Sequence, residues 1–242
     1  MMRGTDRLIV ALDTKSLASA VAIAKRLRGL IRYVKIGSTL FTTAGPSAIR
    51  AMHALGLKVF LDLKFHDIPS TVELSARAAV RHGVSMLTVH ACGEPAMLEA
   101  ALRGARREAR RLGRRRPRVV GVTVLTSVAS GGARRVNQQV LALAIRAKRA
   151  GLDGVVASAQ EAQAIRRRCG ASWLVVCPGI RPAGVAAGDQ ARVVTPREAV
   201  ARGADALIIG RPITHARDPR AVVRRIVEDL NERHPCSHET SS

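Results

Sequence analysis

Aromatic residues are almost absent: one Trp, one Tyr and three Phe stand in 242 residues, 2% of the chain. A core must then be built from Ala, Val, Leu and Ile. That favours buried parallel strands and Ala-rich helices over an aromatic-rich β-sandwich. Cysteine is scarce as well. Cys92, Cys169, Cys177 and Cys236 are scattered and form no CxxC pair, so neither a zinc site nor a disulfide framework is indicated. Reduced thiols in a cytoplasmic protein are expected. No spanning segment or signal peptide is visible, because Met1 to Asp6 is short and polar and leads straight into an apolar strand. No Pro/Gly/Ser-rich linker divides the chain, and no glycine-rich dinucleotide fingerprint follows its first strand.

Acidic residues are also few. Asp and Glu number 18 against 40 Lys and Arg, a formal charge of +22, and only six of the forty are Lys. Such a balance raises nucleic-acid binding as a reading. The densest run argues against it. Arg106-Arg107-Glu108-Ala109-Arg110-Arg111 reads as the outer face of a helix, and Arg114-Arg115-Arg116-Pro117-Arg118 as the loop after it. Aromatic stacking partners are missing there, and no zinc-finger or RNP motif occurs. No nucleic-acid or membrane partner is expected. A positive field that attracts anionic substrates is the milder consequence.

What the chain does have is a repeat. Short β-rich runs near Leu8–Leu12, Tyr33–Ile36, Lys58–Leu61, Met86–Val89, Val119–Val122, Gly154–Val156, Leu174–Val176 and Ala206–Ile209 alternate with helical stretches. The helices are expected over Ser16–Arg28, Pro46–Leu55, Ser70–His82, Glu94–Leu112, Gln138–Ala150, Ala159–Arg168, Thr195–Arg202 and Pro219–Glu232. Eight strand–helix units in this order predict an α/β fold, a single (β/α)8 TIM barrel. Residues 1–234 form that domain in this reading, and 235–242 a frayed tail. A doubly wound sheet is the fallback. Gly29, Gly56, Gly83, Gly151, Gly170 and Gly203 are placed to close helices in a left-handed conformation. The glycine- and proline-rich stretch from Pro178 to Thr195 is expected to be a lid after strand seven, where barrels often bind phosphate.

In a barrel, chemistry sits at the carboxyl ends of the strands. The richest end is Asp62-Leu63-Lys64-Phe65-His66-Asp67-Ile68-Pro69-Ser70-Thr71. Alternation puts Asp62 and Lys64 on one face, and Asp67 follows once the strand has ended. Lys35 lies in an otherwise apolar strand, where an ammonium requires a partner such as Asp62 or Asp67. Asp13 follows strand one, as a site residue or as a cap for the next helix. Thr126 and Ser127 lie past strand five, and Pro178-Gly179-Ile180-Arg181 past strand seven. Gly210-Arg211 follows strand eight, where glycine lets backbone amides approach an anion and the guanidinium can grip it. Arg181 and Gln190 share the loop nearby. His90 is left out of the site, and His66 is read as a supporting or surface residue.

Taken together, these residues resemble the orotidine 5′-phosphate decarboxylase family. The ten-residue run resembles its signature. Ala11-Leu12-Asp13, Val34-Lys35-Ile36-Gly37, Leu125-Thr126-Ser127, Pro178-Gly179-Ile180-Arg181, Asp189-Gln190 and Gly210-Arg211-Pro212-Ile213 follow in the family's order. Ser70 stands where many relatives have Asn. The resemblance implies decarboxylation of orotidine 5′-phosphate to UMP without cofactor or metal, on a homodimeric barrel. It implies that Lys64 protonates C6 of the pyrimidine, within an array of Asp62, Asp67 and Lys35. Asp13 and Lys35 would hold the ribose hydroxyls, and Thr126 with Ser127 the pyrimidine edge. Gln190, Gly210 and Arg211 would bind the phosphate, with Pro178 and Arg181 at the closing loop. Asp67, Ile68 and Thr71 would reach into the neighbouring subunit's site. A sister sugar-phosphate decarboxylase or aldolase of the same barrel superfamily, dependent on magnesium, is the rival reading.

Overall fold

The structure is a computed structural model that describes residues 4–124, 132–182 and 194–231. Its elements follow in the order α1 (Gly4–Arg7), β1 (Leu8–Ala11), α2 (Leu17–Arg26), β2 (Tyr33–Gly37), α3 (Ser38–Ala44), α4 (Pro46–Ala54), β3 (Lys58–Phe65) and α5 (Pro69–Arg81). There follow β4 (Met86–His90), α6 (Pro95–Arg111), β5 (Arg118–Val122), α7 (Gly132–Arg149), β6 (Gly154–Val156), α8 (Ala159–Cys169), β7 (Leu174–Cys177), α9 (Pro196–Ala201), β8 (Ala206–Ile209), α10 (Arg211–Thr214) and α11 (Pro219–Asn231). All neighbouring strands pair in parallel, and β8 pairs with β1. The sheet is thus a closed barrel in sequence order, and the fold is a TIM barrel as expected.

Side-chain alternation divides the apolar residues into two cores. Leu8, Val10, Val34, Ile36, Val59, Leu61, Leu87 and Val89 point outward onto the helices, which supply many buried alanines. Ile9, Ala11, Phe60, Met86, Val120, Val122, Val156, Leu174, Val176, Ala206 and Ile208 point inward and fill the barrel. Continuing the inward parity along the first four strands reaches Asp13, Lys35, Asp62 and Thr88. The barrel interior is therefore apolar at its lower layers and charged at its carboxyl end. The six turn glycines named above all take positive φ, from 74° to 102°, as a helix closing in the left-handed region requires.

Several boundaries differ from expectation. Strand β3 runs to Phe65, four residues past Leu61. Three short helices, α1, α3 and α10, carry no long apolar period and escape a periodicity reading. Helix α7 begins at Gly132 rather than near Gln138. The arginine-rich helix α6 is exposed on Arg106, Arg107, Arg110 and Arg111, but Glu108 and Ala109 within that run turn inward. Glu108 is 1% exposed and receives Arg77, Arg81 and Arg111 at 3.1, 2.8 and 2.7 Å. Hydrogen bonds from Arg111 and Arg81, joined by Arg77 and opposed by desolvation, hold its carboxyl down at about 2. Other arginines pin the amino-terminal end of the barrel. Arg116 grips Asp153 with two bonds of 2.7 Å, and Arg166 pairs with Asp205. Among the described residues, no helix is long and apolar enough to cross a membrane. Cys92, Cys169 and Cys177 are free thiols.

Candidate active site

A cavity of about 380 Å³ opens at the carboxyl end of the barrel. Ala11, Val122, Val156 and Ile208 form its apolar floor. Asp13, Lys35, Asp62 and Lys64 line one side, and Pro178, Arg181, Gly210 and Arg211 another. Strands from across the sequence thus bring these predicted residues together.

The charged side is a chain of alternating signs. Lys35 Nζ lies 3.0 Å from Asp13 Oδ1 and 3.4 Å from Asp62 Oδ2. Lys64 Nζ lies 3.0 Å from that same Asp62 oxygen. The two ammoniums and two carboxylates offset one another, which is what permits Lys35 to be buried. Burial opposes ionisation of Asp62. The charges of Lys35 and Lys64, with hydrogen bonds from Lys64 and Thr88, outweigh it and keep its carboxyl below the usual carboxylate range. Asp13 does not cap α2; that role falls to Ser16, whose hydroxyl accepts from the Ser19 amide. A Cβ at Gly37 would meet Asp13 Oδ1 at 2.8 Å and Lys35 Nζ at 3.0 Å, so the ends of those two side chains would have to shift.

Asp62 and Lys64 converge, but not through a regular pleat. Leu61 pairs with Leu87 and Phe65 with Val89, so four steps of β3 pass two of β4. Within this bulge Lys64 has φ 52°, the one positive φ of a non-glycine among the described residues. Its amide donates to Thr88 Oγ1 at 2.8 Å, and that hydroxyl donates to Asp62 Oδ1 at 3.1 Å. Thr88 belongs to no motif in the sequence; its signal there is a hydroxyl at an inward strand position two residues before His90.

The opposite side of the cavity carries two arginines, Arg181 and Arg211. Arg181 is 6% exposed, and its Nε has no hydrogen-bond partner among the described residues. Its backbone amide donates to Val194 at 3.0 Å, which anchors the base of the loop. Strand β8 passes through Gly210 into α10, placing Arg211 on the rim. Thr214 and His215 also line the cavity and were not anticipated.

Three predicted residues stand elsewhere. Asp67, Ile68 and Thr71 are exposed and do not line this chain's cavity. Asp67 Oδ1 accepts from the Ile68 amide at 2.6 Å, and Ile68 is 63% exposed. Thr126, Ser127, Gln190 and residues 183–193 of the lid expected from Pro178 to Thr195 lie outside the described residues, as does the tail from 235 to 242. His66 is exposed, with its ring 5.6 Å from that of His90. Burial, helped by the charges of His66 and Lys64, keeps His90 below the ordinary histidine range.

Fold and site together define the class: a TIM-barrel enzyme with an alternating Asp/Lys array facing an arginine-bearing wall at the carboxyl ends of its strands. The chain belongs to the orotidine 5′-phosphate decarboxylase / HUMPS family, whose sequence profile matches residues 6–226. A Moorella thermoacetica protein named orotidine 5′-phosphate decarboxylase is 49% identical over 236 residues, covering 95% of this chain and 94% of its own. A Paramagnetospirillum magneticum protein of the same name is 46% identical, covering 91% and 97%. The crystal structure of orotidine 5′-phosphate decarboxylase from Lactobacillus acidophilus superposes with a TM-score of 0.82 at 36% identity, over 96% of this chain and all of that one.

Proposed function

We propose that this chain decarboxylates orotidine 5′-phosphate to UMP and CO2, with Lys64 as the proton donor. The observation that carries the reading is one cavity joining a four-charge Asp/Lys array to a buried arginine whose Nε has no partner among the described residues. A substrate with an anionic reacting end and a phosphate fits both sides.

The chemistry follows from charge. The bond from C6 to the carboxylate breaks and its electron pair stays on C6. The ammonium of Lys64, beside C6, stabilises that pair and then transfers a proton to it, giving UMP; solvent returns a proton to the lysine. Asp62 holds Lys64 in place by the 3.0 Å pair. Asp13 and Lys35 receive the ribose hydroxyls, and Thr126 with Ser127 the pyrimidine edge. The phosphate goes to Gln190, Gly210 and Arg211, with Arg181 and Pro178 at the loop. Because the phosphate is remote from C6, its binding energy serves to order the site. No cofactor or metal takes part in this scheme.

The working unit is a homodimer. Asp67, Ile68 and Thr71 are exposed at the carboxyl end of β3, beside the cavity's most charged wall, and in this reading they complete the neighbour's site. The enzyme acts in the cytoplasm, in keeping with its unpaired thiols.

Loss of the ultraviolet absorbance of orotidine 5′-phosphate, followed with and without EDTA, tests the reading. Turnover unaffected by chelation is expected. Turnover lost in EDTA points to the magnesium-dependent sugar-phosphate branch, and no turnover at all refutes the assignment.

A further inference from the structure

We propose that Thr88 is a positioning residue: its single hydroxyl fixes both the backbone of Lys64 and the carboxylate to which Lys64 is paired. The inference rests on the proposed role of Lys64.

The directions of both bonds are settled by chemistry. An amide N–H can only donate, so Thr88 Oγ1 accepts from Lys64 at 2.8 Å. An ionised carboxylate can only accept, so the same hydroxyl donates to Asp62 Oδ1 at 3.1 Å. The hydroxyl's one proton is thereby committed. Thr88 itself is 0% exposed; its contact with Asp62 is buried and its contact with Lys64 partly so.

Each bond solves a problem that the bulge creates. Between Leu61 and Phe65 the β3–β4 register shifts, and the Lys64 amide bonds to a side chain of β4. Lys64 also sits at φ 52°, a region where residues with a Cβ are uncommon and persist only when surroundings hold them. The Thr88 bond supplies such a hold. At Asp62, the two oxygens divide their duties. Oδ2 takes both ammoniums, and Oδ1 takes the hydroxyl. Without the hydroxyl the carboxylate is free to rotate about its last bond and carry Lys64 with it. Thr88 does not line the cavity, so it acts through these two residues and not by touching substrate. A β-branched side chain in a strand has few χ1 choices, which keeps the hydroxyl aimed.

Thr88→Val keeps the shape and deletes the hydroxyl; Thr88→Ser keeps the hydroxyl. Measured with orotidine 5′-phosphate, the Val variant should lose about tenfold or more in kcat, with KM changed less than about threefold. Its acid limb of kcat should move to higher pH, because Asp62 loses a donor that favours its ionised form. The charged groups facing Asp62 (Lys35 from β2 and Lys64 from β3), with Asp13 and His90 beyond them, are unchanged in the variant. Ser should restore kcat and the acid limb to within about threefold of wild type. A merely structural role would lower Tm and leave the acid limb in place. Wild-type kcat and acid limb in the Val variant, or Ser as impaired as Val, overturns the proposal. Thr88→Cys, which replaces the hydroxyl by a weak donor, is read in the same way should Val fail to fold. Hydrogen exchange at the Lys64 amide gives a reading independent of turnover. The amide should be protected in wild type and lose that protection in the Val or Cys variant, and unchanged protection refutes the bond. An inactive wild type would instead refute the assigned reaction.

Discussion

Replacing Asp62 by Asn removes one charge and almost no volume, so its effect can be worked from the array. Asp62 Oδ2 faces Lys64 Nζ at 3.0 Å and Lys35 Nζ at 3.4 Å. At an effective dielectric of about 20, each pair has a gross attraction of about 5 kcal/mol. Desolvation of the buried charges cancels most of it. The two lysines then fare differently. Lys35 keeps Asp13 at 3.0 Å and stays in place. Lys64, whose side chain is 31% exposed, can swing toward water, so the folded state loses only about 1–3 kcal/mol. Activity loses far more, because a proton donor displaced by an ångström or so no longer meets C6. A fall in kcat/KM of about 10²–10⁴-fold is expected, or roughly 3–5 kcal/mol of transition-state stabilisation. Decay of substrate absorbance gives the rate, and thermal melting gives the fold. A folded Asp62→Asn variant within about threefold of wild-type kcat/KM would refute the claim that Asp62 positions Lys64.

The remaining predictions concern pH, phosphate and the dimer. Asp62 is held below its ordinary value of 3.8, so its contribution to stability is present above that pH and is lost as pH falls through the lower folded value; acid melts of wild type and Asp62→Asn should differ above pH 3.8 and converge below it. Arg211→Ala should lower kcat/KM for orotidine 5′-phosphate by about 10–10²-fold while leaving turnover of the phosphate-free nucleoside unchanged, and an equal loss on both substrates would remove Arg211 from the phosphate site. Co-folding inactive Lys64→Ala with inactive Asp67→Ala subunits should restore about a quarter of wild-type activity, since half the dimers would carry one intact shared site. No recovery despite demonstrated subunit exchange would count against the shared site.

The fold was legible because it is periodic. Eight apolar runs and their turn glycines carry the barrel without reference to any contact, and the order of the strands then follows from closure. Asp13, Lys35, Asp62, Lys64 and Arg211 were legible for a related reason: charged groups at the inward ends of apolar strands are too costly to lack a use. What stayed hidden depends on three-dimensional detail. The β3 bulge has no glycine or proline to announce it, so the left-handed Lys64 and the role of Thr88 emerge only from the pairing with β4. Glu108 reads as one more charge in an arginine-rich helix face, and only the packing of α6 on α5 explains why it is buried among three guanidiniums. Thr214 ends, and His215 caps, a short helix whose line of approach no periodicity specifies.

The most direct test of the central claim compares release of CO2 from orotidine 5′-phosphate by wild type and Lys64→Ala, with circular dichroism to verify that both are folded. Rapid release by the wild type and none detectable from the variant is the predicted result. Release by Lys64→Ala at a rate near that of wild type would contradict the assignment of Lys64 as the group that meets the carbanion.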